Sequence, residues 1–160
     1  MEIAILAVGR LKVGAERELC DSYLGRARKT GRGLGFRGFE VREIAQSTAV
    51  RPADRVVAEE TALLAALEGR GRTICLDAKG ELLDSDTFAT VLGRDAESSV
   101  PRTTFVLGGP DGIGGKLLSR ADRTLSFGRV TWPHQIVRIL LAEQLYRAMT
   151  ILSGHPYHRA

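Results

Sequence analysis

Short apolar runs alternate along the chain with longer stretches of helical spacing. Ile3 to Val8 is almost unbroken in apolar character and ends at Gly9. Such a run suits a strand covered on both faces, as in a parallel sheet. From Ala15 to Arg28 the spacing turns helical, with Leu19, Tyr23 and Ala27 sharing one face. Lys29 to Gly38 is rich in glycine and basic residues and reads as an exposed connection. Phe39 to Ile44 alternates as a second strand. Pro52 opens a helix whose buried stripe is Val56, Val57, Leu63, Leu64 and Leu67, closed by Gly69 and Gly71. Thr73 to Leu76 is a third strand, followed by a turn at Asp77 to Gly80 and a helix capped by Asp84 or Ser85 that carries Phe88 and Leu92. Thr103 to Leu107 and Arg123 to Ser126 are strands four and five. A last helix, capped by Thr131 or Trp132 with Pro133 in its first turn, runs to about Leu152.

Strands alternating with helices predict an α/β fold, a mostly parallel sheet flanked by helices, in one domain spanning residues 1–160. Ligands of such sheets bind outside the carboxyl ends of the strands. That rule singles out three exits: Leu76-Asp77, Leu107 to Gly112, and Ser126 to Trp132. If they gather, they make one pocket. The last helix is apolar at Ile136, Leu140, Leu141, Leu145, Met149 and Leu152, a face wider than one sheet needs. The excess predicts a homodimer contact. Arg138 and Arg147 within that helix read as solvated or paired.

Composition narrows the class. The 160 residues are 44% hydrophobic and 26% charged with a formal net charge of +4, as for a globular protein compatible with nucleic acid. Cys20 and Cys75 lie far apart without a Cys-x-x-Cys and read as reduced, buried thiols. Met1 to Val8 reads as a strand rather than a leader, and no window approaches a membrane-spanning length; the expected location is cytoplasmic.

Two stretches carry candidate chemistry. Gly108 to Gly115 holds five glycines in eight residues, which allows close backbone approach to an anion or an adenine edge. It is no P-loop, because no Gly-Lys-Ser/Thr follows, and no dinucleotide fingerprint, because position 117 is leucine. The tail His155-Pro156-Tyr157-His158-Arg159 gathers two imidazoles, a phenol and a guanidinium. Imidazole moves protons near neutral pH, arginine holds phosphate, and tyrosine stacks on bases. No Asp, Glu or Cys accompanies them, so no metal-ligand pattern is present.

Taken together these residues resemble the RlmH family of SPOUT-class RNA methyltransferases. The likeness is carried by Leu76 to Glu81 with Ser85 and Phe88, by Gly108-Gly109-Pro110-Asp111-Gly112, and by Leu125-Ser126. It continues through Pro133 to Arg138, Glu143 to Ala148 and His155 to Arg159. It is close from Leu76 onward and loose before residue 70. Gly128-Arg129 and Trp132 depart from the small or hydroxyl residues that relatives often carry there.

The resemblance implies a SPOUT-type fold with a C-terminal trefoil knot and a homodimer that binds S-adenosyl-L-methionine in the knotted loops. It implies a cofactor site at Leu76, Gly108, Gly109, Phe127, Gly128, Arg129, Val130, Thr131 and Trp132. The implied reaction is methylation of N3 of a pseudouridine in 23S rRNA within the assembled ribosome, with no metal and no membrane. His155, Tyr157, His158 and Arg159 are the expected catalytic groups, in a tail folded over the active site of the other subunit. Arg26, Arg28, Lys29, Arg32 and Arg37, with Lys12, are the expected RNA contacts. The alternative is a non-enzymatic rRNA- or ribosome-binding factor with a structural glycine loop.

Overall fold

A computed structural model describes residues 1–67 and 69–158. Five parallel strands form one sheet in the order β2-β1-β4-β3-β5. They are β1 Glu2–Val8, β2 Gly38–Ile44, β3 Arg72–Leu82, β4 Arg102–Leu107 and β5 Arg123–Ser126. The helices are α1 Ala15–Gly31, α2 Pro52–Ala66, α3 Ser85–Glu97, α4 Gly115–Arg120 and α5 His134–Leu152, with a short 3-10 turn at Arg32–Leu34.

Strand pleating sorts the core into two layers. Ile3, Ile5 and Ala7 of β1, Ile74 and Leu76 of β3, and Phe105 and Leu107 of β4 face α1, α3 and α5. Leu6, Val8, Cys75 and Val106 face α2 and α4 through Leu63 and Leu117. This two-sided burial explains why β1 and β4 read as continuous apolar runs. Each fully buried Ile, Leu or Phe contributes roughly 1.5–3 kcal/mol. Among the described residues no helix is long and apolar enough to cross a membrane.

The helices depart from the sequence reading in instructive ways. α1 continues to Gly31, past the predicted end at Arg28, because Gly31 is packed tight: an added Cβ would stand 3.0 Å from Met149 Sδ and 3.1 Å from Phe36 Cβ. Its buried stripe is Cys20, Leu24, Ala27 and Gly31, while Leu19 is exposed. On α2 the buried residues are Glu59, Glu60 and Leu63, and Val57 is exposed. α2 lies over the ends of strands and a glycine turn, where main-chain N–H groups need acceptors, so carboxylates bury there instead of valine. α2 ends at Ala66 with Leu67 as its cap, ahead of the predicted glycines; Gly71 instead leaves room for the Arg102 carbonyl, 2.3 Å from where a Cβ would be. α5 begins at His134 with Pro133 as its cap, not Thr131 or Trp132. Asp84 caps α3 by accepting the Thr87 N–H at 2.7 Å.

The largest difference concerns β3. Asp77 to Gly80, predicted as a turn after the strand, is a bulge within it: Leu76 and Glu81 both pair with Leu125 of β5. Gly80 permits this, since a Cβ there would stand 2.5 Å from the Leu125 carbonyl carbon. The bulge carries Asp77 and Ala78 to the rim of the sheet, where Asp77 Oδ1 accepts the Lys79 N–H at 2.9 Å.

Candidate functional site

The three strand exits meet. One cavity of about 210 Å³ opens at the carboxyl ends of β3, β4 and β5. Leu76, Asp77 and Ala78 contribute from β3, and Leu107, Gly108, Gly109, Pro110, Gly112 and Ile113 from the β4 exit. The β5 exit adds Leu125 to Gly128 and Val130 to Trp132, and α5 adds His134 and Val137. Of the nine residues expected to hold a cofactor, only Arg129 is not in the wall; it is exposed at the surface.

Local chemistry shapes this wall. Gly109 and Gly112 form a bridge, with the Gly112 N–H donating to the Gly109 carbonyl at 3.0 Å, and Gly112 has φ 91°. Gly108 sits so close to that turn that a Cβ would meet the Gly112 carbonyl oxygen at 2.6 Å. Gly128, with φ 123°, turns the chain after β5, and Ser126 Oγ donates to its carbonyl at 2.8 Å. The result is a bare main-chain rim around a floor of Leu76, Leu107, Ile113 and Leu125. That surface offers main-chain donors and acceptors over an apolar floor.

Charged side chains brace the cavity from outside. Glu60 Oε1 accepts the Leu117 N–H at 2.9 Å, fixing the start of α4 beside Gly114, where a Cβ would fall 2.2 Å from the same carboxylate. Arg138, 1% exposed, pairs with Glu43 and donates to the Gly9 carbonyl at 2.8 Å, tying α5 to the ends of β1 and β2. His134 stands at the start of α5, where a Cβ on Gly9 would be 3.4 Å from its Nε2. Burial and the nearby Arg138 charge hold its pKa below the usual histidine value, against an upward pull from Glu59. Sequence reasoning passed over Glu59 and Glu60 as members of this region, and no periodicity signal marks them; Arg138, read as solvated or paired, is paired with Glu43 and buried.

The tail lies elsewhere on the chain. His155 is exposed, whereas Tyr157 packs its ring 4.6 Å from Tyr146 and lies under the Arg147 guanidinium. Tyr157 Oη donates to Glu143 Oε1 at 3.2 Å. His158 Nε2 lies 3.4 Å from Asp86 Oδ2 without hydrogen-bond geometry, and its Nδ1 is 3.4 Å from Arg147 Nη1. None of these residues lines the cavity of its own chain; Arg159 lies outside the described residues. Of the basic candidates, Arg26 lies over the rings of Tyr23 and Tyr146, close to the tail. Arg28 donates to the Phe39 carbonyl at 2.8 Å, and Lys29, Arg32, Arg37 and Lys12 are exposed.

A five-stranded parallel sheet flanked by helices, with a glycine-walled cavity at its carboxyl edge, is the architecture of a SPOUT-type methyltransferase, and comparison with known proteins agrees. Residues 1–158 match the family described as predicted SPOUT methyltransferase. The chain belongs to that family, and within it to the RlmH group. A protein of Rhodopseudomonas palustris (strain BisB5) named ribosomal RNA large subunit methyltransferase H is 52% identical, over 100% of both chains. Its namesake from Nitrobacter hamburgensis is 51% identical over 99% of both. The solved structure of a probable methyltransferase from Bordetella pertussis Tohama I shares the fold, with a TM-score of 0.53 at 14% identity, covering 92% of this chain and 93% of that one.

Proposed function

We infer that this methyltransferase transfers a methyl group from S-adenosyl-L-methionine to N3 of a pseudouridine in 23S rRNA, on assembled ribosomes in the cytoplasm. The observation that carries this is the convergence of three loops on one cavity, in a chain about half identical along its whole length to proteins named for large-subunit rRNA methylation. The main-chain rim of Gly108, Gly109, Phe127, Gly128 and Val130 to Trp132, with Leu76 beneath, would hold the cofactor, and Arg129 stands outside it. When bound, it supplies a methyl already activated by the sulfonium. The loops that form the rim are those through which a trefoil knot would pass.

The chain's own task is to orient the imide and take its N3 proton. Tyr157 remains a hydrogen-bond donor at neutral pH, since burial and Glu143 push its pKa up to about 12. Proton removal therefore falls to His158, with His155 at the mouth and Arg159 on phosphate or an imide oxygen. The tail packs beside Arg147, 13 residues along α5 from His134. At 1.5 Å rise per residue that is ~20 Å from the cavity end of the helix. A homodimer in which each tail serves the partner's cavity removes that gap. The exposed apolar residues Leu82, Val130 and Trp132, beside the cavity, are suited to the contact. Arg26, Arg28, Lys29, Arg32 and Arg37 supply phosphate contacts, shared by both subunits.

Mass spectrometry of 23S rRNA from a strain lacking the protein tests the reaction; a fully methylated pseudouridine in that strain would refute it. Removing Tyr157 to Ala160 should abolish methyl transfer and leave calorimetric binding of S-adenosylmethionine intact. Reversing the charges of Arg32 and Arg37 together should weaken ribosome binding more at low salt than at high salt.

A further inference from the structure

Glu59 of α2 is 3% exposed, yet only half of its carboxylate is satisfied. Oε1 accepts the Ser47 N–H at 2.9 Å. Oε2 is buried and has no hydrogen-bond partner among the described residues. That oxygen presses on the cavity wall from behind: a Cβ at Gly109 would stand 2.7 Å from Glu59 Oε2 and 3.1 Å from Val8 Cγ1. Burying a carboxylate oxygen without a partner is costly, so such an atom marks a place where a compensating group arrives.

Arg55 and His134 attract the Glu59 carboxylate through space, but among the described residues no neighbouring cation hydrogen-bonds its free oxygen. Arg55 is bound in a two-point pair to Asp111, and Arg138 is bound to Glu43 and Gly9. His134 is held toward its neutral form by burial and by Arg138. Asp77, a carboxylate-bearing residue of the wall itself, accepts only a main-chain N–H among the described residues. The chain thus sets a carboxylate oxygen without a hydrogen-bond partner behind the Gly109 wall of this cavity.

Resting on the reading of the cavity as an S-adenosylmethionine site, we propose that Glu59 is a specificity-determining residue. Its carboxylate, behind the bare main chain of Gly109, favours the sulfonium-bearing donor over the neutral thioether product. Donor and product share the adenosine and the zwitterionic amino-acid end; they differ by one methyl and one positive charge. A buried carboxylate is weakly screened, so it acts on the charge. Shape and adenine contacts act on both molecules alike. The effect loosens the site once the methyl has left, which favours exchange of S-adenosylhomocysteine for fresh donor.

Calorimetry tests this with three probes: S-adenosylmethionine, S-adenosylhomocysteine, and sinefungin, whose ammonium group stands in place of the sulfonium. Glu59→Gln keeps an acceptor for the Ser47 N–H and removes the charge. The expected result is about a tenfold loss for both cationic probes and less than about threefold for S-adenosylhomocysteine. Glu59→Asp should retain most of the preference. The ratio of affinities within one sample is independent of the fraction folded, so partial unfolding does not obscure it. Equal losses for all three probes, or an unchanged ratio, would overturn the proposal. A wild-type protein that binds none of the three would overturn the cofactor reading itself, and the proposal with it.

Discussion

Arg55 and Asp111 meet in a two-point ion pair, Nε to Oδ2 at 2.6 Å and Nη2 to Oδ1 at 3.0 Å, that fastens the start of α2 to the glycine turn after β4. Arg55 Nη1 also donates to the carbonyls of Ala49 and Val50, so one guanidinium joins the loop before α2 to the cavity rim. The hydrogen bonds from Arg55 hold the Asp111 carboxyl below the usual aspartate range, against a smaller effect of burial. Asp111→Asn should therefore weaken cofactor binding several-fold with little change in melting temperature, read by calorimetry and thermal denaturation side by side. Equal affinities would show that the rim holds its shape unaided.

The pair between buried Arg138 and half-buried Glu43 predicts a stability effect. Removing one partner strands a charge in the interior, and Glu43→Ala should cost about 3 kcal/mol in urea denaturation. Burial raises the Glu43 pKa, but the Leu11 N–H and Arg138 outweigh it and the net shift is downward from 4.5. A depressed carboxyl stabilises the fold above its unfolded pKa and loses that contribution as pH falls through the lower folded value. The gap between wild type and variant should be constant near neutrality and close in acid, beginning below pH 4.5. A gap unchanged down to the acid unfolding transition would contradict this.

Gly108 has no room for a side chain, since its Cβ would fall 2.6 Å from the Gly112 carbonyl oxygen and 2.8 Å from Ile113 Cγ1. Gly108→Ala should displace the turn, cost about 1–3 kcal/mol of stability, and reduce cofactor affinity by more than that loss explains. Gly112→Ala tests a different cause, because nothing lies within 4 Å of its Cβ but φ is 91°.

The tail gives a kinetic prediction. With the Tyr157 hydroxyl pushed up to about 12 by burial and by Glu143, it does not titrate near neutral pH. Tyr157→Phe should lower the methyl-transfer rate several-fold by removing one hydrogen-bond donor, whereas His158→Ala should abolish transfer while leaving cofactor binding intact. A His158 variant that still methylates at the normal rate would assign proton removal to another group.

Much of this was legible in the chain. Apolar runs at Ile3 to Val8 and Thr103 to Leu107 marked buried strands because both faces of each are covered. The rule that ligands gather at strand ends then placed the cavity from loops with no individual fingerprint. The bulge of β3 was not legible, since Asp77-Ala78-Lys79-Gly80 has turn composition and only pairing with β5 recruits it into the strand. Glu59 and Glu60, and the burial of the paired Arg138, escaped for a related reason. Their burial depends on main-chain donors and acceptors from distant segments, such as Ser47, Leu117 and Gly9, which no local periodicity encodes.

The strand order carries a cost during synthesis. β1 leaves the ribosome first and can pair with β2 early, but its other edge matches β4, beginning at Arg102. Roughly 60 residues separate the end of β2 from that partner, several seconds of elongation at about 5–20 residues per second. Through that interval the most apolar strand of the protein keeps an open edge, the kind of surface on which partly folded chains associate.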